Sequence, residues 1–333
     1  MAGTKDFLPS LLSPALVKRI SPRGDPKETR QIRAALLFLL GLTLLLIGGS
    51  FLYRQLPSWL ESVSESETIV SQRYPSVAPS PTPTPKLEKE KLAVEEMIQP
   101  LRGKYGVYFQ DLQTKDSFEI NGEEKMQSAS LIKLPVLLTL YREGDAGRVN
   151  LDTVYKLQAA DKREGAGMLI NQPEGFEVTY RKMAELMGKQ SDNTAFYIVS
   201  RILGAEKIQE TIDALGMKDS SFVDQITTPE DIGLFFRKLY REGVISQKGR
   251  DEIMSFLTDT IWEDRIPAGV PEGIKVTHKI GTLTGVISDA GIVFAPKPFV
   301  LVIMSQDANE IEAKKALPEI TKKIYEMWTT EVQ

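Results

Sequence analysis

Gln127-Ser128-Ala129-Ser130-Leu131-Ile132-Lys133-Leu134-Pro135-Val136-Leu137-Leu138-Thr139-Leu140-Tyr141 is the stretch on which the fold turns. Leu131, Leu134, Leu137 and Leu138 recur at helical spacing, and Ser128 and Ser130 offer hydroxyls of the kind that cap helix N-termini. Ser130 is therefore predicted to open a buried helix. Lys133 lies one turn on, on the same face, so its amine can reach the serine oxygen. A hydroxyl is a poor nucleophile until a neighbouring base takes its proton. Lysine can be that base only when burial or a nearby cation lowers its pKa. An apolar helix meets the first condition, and a second lysine would meet the other. Taken alone, the pair fits a capped surface helix equally well.

The whole chain has 333 residues, room for one large domain or two ordinary ones. Its net charge of -4, with no basic stripe interleaved with aromatics, gives no sign of a nucleic-acid partner. There is no cysteine, so there is no disulfide, thiolate nucleophile or cysteine metal site. There is one histidine, His278. A Ser-His-Asp triad is possible only through it, and a histidine-rich zinc site is excluded. A serine hydrolase on this chain is expected to use lysine, with no metal and no cofactor.

Upstream, residues 1–33 are polar and basic, and residues 34–53 are almost purely apolar. About 20 such residues span a hydrocarbon core as a helix. The basic segment is long for a signal peptide, the apolar run exceeds a typical h-region, and no clear A-x-A follows, which favours an uncleaved anchor. Basic residues precede the span, while Glu61, Glu65 and Glu67 follow it. That bias predicts a single-pass cell-membrane protein with a cytoplasmic N-terminus and the remainder outside. Residues 54–85 are expected to be an extracytoplasmic linker, ending in a proline-rich run from Pro75 to Pro85 that cannot build a core.

Residues 86–333 are predicted to form one compact domain. Helical spacing marks residues 87–101. Residues 105–112, 116–120, 275–282, 289–294 and 299–305 read as strands, residues 130–257 as a helical middle, and 311–328 as a closing helix. Strands at both ends of a helical middle suggest an α+β fold of the α/β sandwich type. It would have one antiparallel five-stranded sheet, the terminal helices on one face and a helical subdomain alongside.

Two further motifs lie in that region. Ser191-Asp192-Asn193 sits between two helical patterns and would by itself be turn and cap chemistry. His278-Lys279-Ile280-Gly281-Thr282 ends a strand, and its glycine would let a ligand approach the backbone closely. By itself it fits an edge strand carrying a protective lysine. In this order, S-x-x-K, S-D-N and K-x-G resemble the active site of the penicillin-recognising serine hydrolases. Ser128–Leu137, Ser191-Asp192-Asn193-Thr194-Ala195, Thr227-Thr228-Pro229-Glu230-Asp231 and Lys279-Ile280-Gly281-Thr282 are similar to class A β-lactamases. The likeness covers residues 92–327.

The resemblance implies a β-lactamase/transpeptidase-like fold and a set of roles. Ser130 would attack the carbonyl and become acylated, and Lys133 would activate it directly or through water. Ser191 would relay the proton to the leaving nitrogen. Asn193 would bind the substrate amide and hold Lys133. Lys279 would supply positive charge, Gly281 and Thr282 would contact substrate, and the N–H groups of Ser130 and Thr282 would form an oxyanion hole. His278 would then be incidental. The implied partners are a β-lactam or a peptidoglycan stem peptide.

Two departures stand out. Ile280 replaces the usual threonine, removing a hydroxyl that helps hold a substrate carboxylate, for which Thr282 or Thr284 would have to compensate. No Glu-x-x-Leu-Asn loop follows Asn193. Glu206, Glu210 and Asp213 fit a surface helix, and Glu230 and Asp231 fit helix capping, which leaves Asp224 as the nearest candidate for a deacylating base. A positioned general base is worth about 10²–10⁴ in rate. Without one, acylation would outrun deacylation, as in a penicillin-binding protein, and residues 215–222 also look like D-alanyl-D-alanine carboxypeptidases. Beside the β-lactamase reading stand a D,D-carboxypeptidase and a non-hydrolysing wall-binding or sensor module.

Overall fold

The computed structural model describes residues 87–330 except Glu242. The expected cytoplasmic segment, membrane helix and linker lie outside the described residues. Among the described residues no helix is long and apolar enough to cross a membrane. In chain order the elements are α1 (Glu88–Ile98), β1 (Lys104–Asp111), β2 (Ser117–Ile120), β3 (Met126–Gln127), a 3-10 turn (Ala129–Ile132) and α2 (Lys133–Asp145). Then come β4 (Val154–Lys156), β5 (Glu177–Thr179), α3 (Tyr180–Lys189), α4 (Asn193–Leu203), α5 (Ala205–Leu215), β6 (Ile226–Thr227) and α6 (Pro229–Tyr240). The chain continues through α7 (Gln247–Phe256), β7 (Val276–Leu283), β8 (Val286–Val293), β9 (Phe299–Gln306) and α8 (Glu310–Thr330).

The main sheet is five-stranded and antiparallel throughout, in the order β2-β1-β9-β8-β7. Its inner strands are apolar on both faces because both faces are covered. On β9, Phe299, Leu301 and Ile303 face a core shared with Val94 of α1 and Leu317, Ile320, Ile324 and Trp328 of α8. Val300, Val302 and Met304 face the opposite core, which holds the helical region. The terminal helices therefore share one face, as the sequence predicts. Four strands of two or three residues, β3 with β6 and β4 with β5, pair outside the main sheet; they carry too few residues for any alternation to show.

Helix α2 is the spine of the helical region. Every residue from Lys133 to Tyr141 is buried, so it is surrounded rather than amphipathic. Pro135 lies in its first turn, where a missing N–H costs no helical hydrogen bond. Leu134, Leu137 and Leu138 are each at most 1% exposed. Burying one such side chain contributes about 1.5–3 kcal/mol.

The capping expected of Ser128 and Ser130 does not occur. Ser130 lies inside the 3-10 turn, α2 begins only at Lys133, and neither start has a side-chain cap. Ser128 Oγ instead donates to the Gln225 carbonyl at 2.8 Å, anchoring the turn to the strand pair β3–β6. Freed from capping, the Ser130 hydroxyl is left for other partners.

Candidate active site

Three segments converge beside the edge strand β7. The first is the turn carrying Ser130. The second is the link between α3 and α4, where Ser191 has φ 57. The third is the end of β7. Gly281 packs tightly on the turn: a Cβ there would stand 3.3 Å from Ala129 Cβ and 3.3 Å from the Ser128 carbonyl. The missing side chain at Gly281 thus lets the turn carrying Ser130 pack against β7. Ala129, at φ 45, and Gln225, at φ 53, are left-handed as well. Such conformations cost energy in non-glycine residues and persist where surrounding contacts enforce them. Here the Gln225 carbonyl accepts from both the N–H and the hydroxyl of Ser128.

Lys133 is the hub. Its Nζ lies 2.8 Å from Ser130 Oγ, 2.9 Å from Asn193 Oδ1 and 3.4 Å from Ser191 Oγ. Lys279 Nζ donates to Ser191 Oγ at 3.0 Å and to the Ile280 carbonyl at 3.1 Å. Ser130, Lys133, Ser191, Asn193 and Lys279 therefore form one continuous hydrogen-bonded cluster. Burial pushes Lys133 down to about 8, with Asp192 pulling the other way. Lys279, 1% exposed, is pushed well below its ordinary value by burial first and by Lys133 second. Both conditions for a lysine base are met.

Asp192 does what the bland reading of its motif proposed. Its Oδ1 accepts from Ala195 N at 2.8 Å and caps α4, while its Oδ2 accepts from Leu169 N at 2.9 Å. The second bond ties down a loop that also receives Asn193: Asn193 N–H donates to the Ala166 carbonyl and its Nδ2 to the Glu164 carbonyl at 2.8 Å. Gly167, at φ +110, lies so close that any Cβ would collide with Asp192.

A cavity of about 390 Å³ opens on Ser130 and Lys133, walled by Phe196, Tyr197, Arg163, Gln225 and Thr282. Asp224 is not part of it. Its side chain is exposed and accepts from Ser221 Oγ at 2.7 Å, while its own N–H donates back to that hydroxyl. This local turn holds the carboxylate away and presents Gln225 instead. The other weighed carboxylates are also elsewhere: Glu206, Glu210 and Asp213 are exposed on α5. Asp231 lies in the first turn of α6, capped by Thr228 and bonded to Asp219 N and Ser220 Oγ. Glu164 is the one carboxylate on the cavity wall, exposed at its rim.

Sequence reasoning passes over Arg265. It is 2% exposed, and its Nη1 donates to the Gly281 carbonyl at 2.9 Å and the Ser288 carbonyl at 2.5 Å. Its Nη2 donates to Thr282 Oγ1 at 2.6 Å. With its oxygen accepting from Arg265, the Thr282 hydroxyl keeps its proton to donate into the cavity. Burial lowers Arg265 somewhat, but a guanidinium remains charged. Arg265 therefore sets a standing positive charge beside Thr282. This arrangement sets a hydroxyl and a positive charge at the end of β7, where Ile280 has neither.

His278 is not incidental either. It is fully buried; its Nδ1 meets the Asp289 carboxylate at 2.9 and 3.0 Å, and its Nε2 meets Glu263 at 3.2 Å and Thr260 Oγ1 at 3.3 Å. Burial pulls its pKa down, and Asp289 with Glu263 outweighs that and raises it to about 9. A charged imidazole facing a carboxylate and a threonine on its outer nitrogen is no triad base.

The family model for the beta-lactamase enzyme family matches residues 89–328. No curated protein matches the chain. Among solved structures, a β-lactamase from Sphaerobacter thermophilus shares 27% identity at a TM-score of 0.69, over 74% of this chain and 98% of that one. PBP-A shares 23% identity at a TM-score of 0.70, over 73% and 97%. A PBP-A variant solved as an acyl-enzyme complex with penicillin G shares 24% at 0.68, over 73% and 97%. At those identities, PBP-A bears on the fold alone. Fold and motifs agree with a penicillin-recognising serine hydrolase, and the chain belongs to the beta-lactamase enzyme family.

Proposed function

We propose that the chain is a serine hydrolase that opens β-lactams, or related D-Ala-D-Ala-like amides, through an ester on Ser130. The observation that carries this reading is the 2.8 Å contact between Lys133 Nζ and Ser130 Oγ, in a lysine that burial has shifted to about 8. Neutral Lys133 takes the Ser130 proton as Oγ attacks the carbonyl carbon. Ser191, bonded to both lysines, passes a proton to the leaving nitrogen as the amide bond breaks. Asn193 holds Lys133 and offers its amide to the substrate's acyl side. Thr282, backed by Arg265, receives the substrate carboxylate. The N–H groups of Ser130 and Thr282 receive the oxyanion.

A second reading, a D,D-carboxypeptidase or penicillin-binding protein with slow deacylation, is favoured by the position of Asp224 outside the cavity. We further propose, from the sequence, that residues 34–53 anchor the protein in the cell membrane with the catalytic domain outside. The test is turnover by the full chain of a chromogenic cephalosporin and of a peptide ending in D-Ala-D-Ala, with Ser130→Ala as control. Serine-dependent cephalosporin turnover supports the β-lactamase, and serine-dependent release of D-alanine supports the peptidase. Neither turnover nor a covalent adduct overturns both and leaves a non-hydrolysing binding module.

A further inference from the structure

The segment from Thr258 to Ile266 runs along β7 between α7 and the sheet. Its start is tied by Thr258 Oγ1 to Thr277 Oγ1 at 2.7 Å, and by the His278 N–H to the Leu257 carbonyl at 2.7 Å. It passes the Lys189 carbonyl, which accepts from Ile261 N at 3.2 Å, two residues before Ser191. Its end places Arg265 against Gly281 and Thr282. The segment is thus tied both to the link before Ser191 and to the end of β7.

Two pins hold its end, and both pass through one side chain. On one side His278 Nε2 meets Glu263, whose Oε1 also takes the N–H and hydroxyl of Thr260 at 2.6 and 2.9 Å. On the other, His278 Nδ1 meets Asp289 of β8, whose Oδ2 accepts from Ile266 N at 3.0 Å. Arg265 lies between Glu263 and Ile266, between the pins. Asp289 is fully buried and must have a cationic partner. Arg265 and Lys279 both feel its charge. If His278 were lost, Asp289 would draw on those two cations, and Arg265 is the one with a role at the cavity mouth.

We propose that His278 is a positioning residue for recognition of the substrate carboxylate. By neutralising Asp289 and bridging it to Glu263, it keeps the Arg265 guanidinium committed to Thr282 rather than to the sheet interior. His278 touches no substrate; its effect reaches the ligand only through Arg265 and the Thr282 hydroxyl. This inference rests on the acylation reading above, and it assigns specificity for a carboxylate-bearing substrate to a cluster lying behind the strand that carries Lys279.

The test compares acylation of the full chain by benzylpenicillin and by its methyl ester, which lacks the carboxylate charge, followed by intact mass over a range of concentrations. A charge-assisted hydrogen bond of this kind supports a preference of about tenfold or more for the acid in the wild type. In His278→Asn that preference should collapse towards one through a weaker half-saturation for the acid, with the ester rate kept within about twofold. Glu263→Gln, on a half-exposed residue that leaves the His278–Asp289 pair in place, should lose part of the preference and guards against a misfolded His278 variant. An unchanged preference in folded variants overturns the inference. Equal losses on acid and ester also overturn it, because that pattern is general damage to the site. A wild type that forms no adduct with either compound overturns the acylation reading, and this inference with it.

Discussion

On the Lys279 side of the cleft, Ser130, Lys133, Ser191 and Asn193 are joined by hydrogen bonds, and two buried lysines share one serine oxygen. On the rest of the cavity wall lie Ile132, Phe196, Tyr197 and Gln225, and Asp224, next to Gln225 in the chain, is turned out onto Ser221. On the proposed reading, the first half has what forming an acyl-enzyme needs: a nucleophile, a depressed base, a proton relay and a cation. The second half is without Asp224, and the one carboxylate among its lining residues, Glu164, sits exposed at the rim. Acyl transfer uses both half-reactions, so a chain furnished for one and not the other is expected to stop in between.

The contrast can be broken from either side. The largest effect should come from Lys133→Ala, which removes the base and should slow acylation by about 10²–10⁴ while leaving the fold intact, measured as the rate of adduct formation. Loss below about tenfold would move the base elsewhere. Next comes pH. Lys133 must be neutral to accept the proton and titrates at about 8. Below that value the acylation rate should climb about tenfold per unit, then level off above it. A rate already flat from pH 6 upward would contradict a lysine base.

The deacylating half gives the smaller effects. Gln225→Glu places a carboxylate on the cavity wall, and should speed release of the acyl group by about tenfold or more, read as decay of the adduct. Asp224→Asn should change that decay by less than about twofold, because the native carboxylate is already occupied by Ser221. A strong effect of Asp224→Asn would mean that its turn opens during catalysis.

The acylating half was also the half legible in the sequence. Ser130 and Lys133 are one turn apart on a chain segment whose burial is written in consecutive leucines, so their contact is local. Ser191 and Asn193 were read from their order relative to the other motifs, and the sheet from apolar runs at both ends of the domain. Arg265 was not legible, because its partners at Gly281 and Ser288 lie 16 and 23 residues away and are backbone carbonyls, which no residue type announces. His278 was passed over for a related reason: its meaning comes from Asp289 and Glu263, brought to it by strand pairing and a crossing loop. Asp224 is a candidate only by its place in the chain after Asn193, and a four-residue turn back onto Ser221 overrides that placement. The expected caps at Ser128 and Ser130 failed because a tighter 3-10 turn precedes α2.

The most direct test of the central claim is the fate of the adduct after full acylation. The full chain would be saturated with benzylpenicillin, freed of excess compound, and followed by intact mass against Ser130→Ala. The account predicts a stoichiometric adduct, absent in the variant, that persists long after the burst that formed it. Rapid return to the unmodified mass would contradict slow release and favour the β-lactamase over the penicillin-binding protein, with a deacylating base other than Asp224 in its present turn.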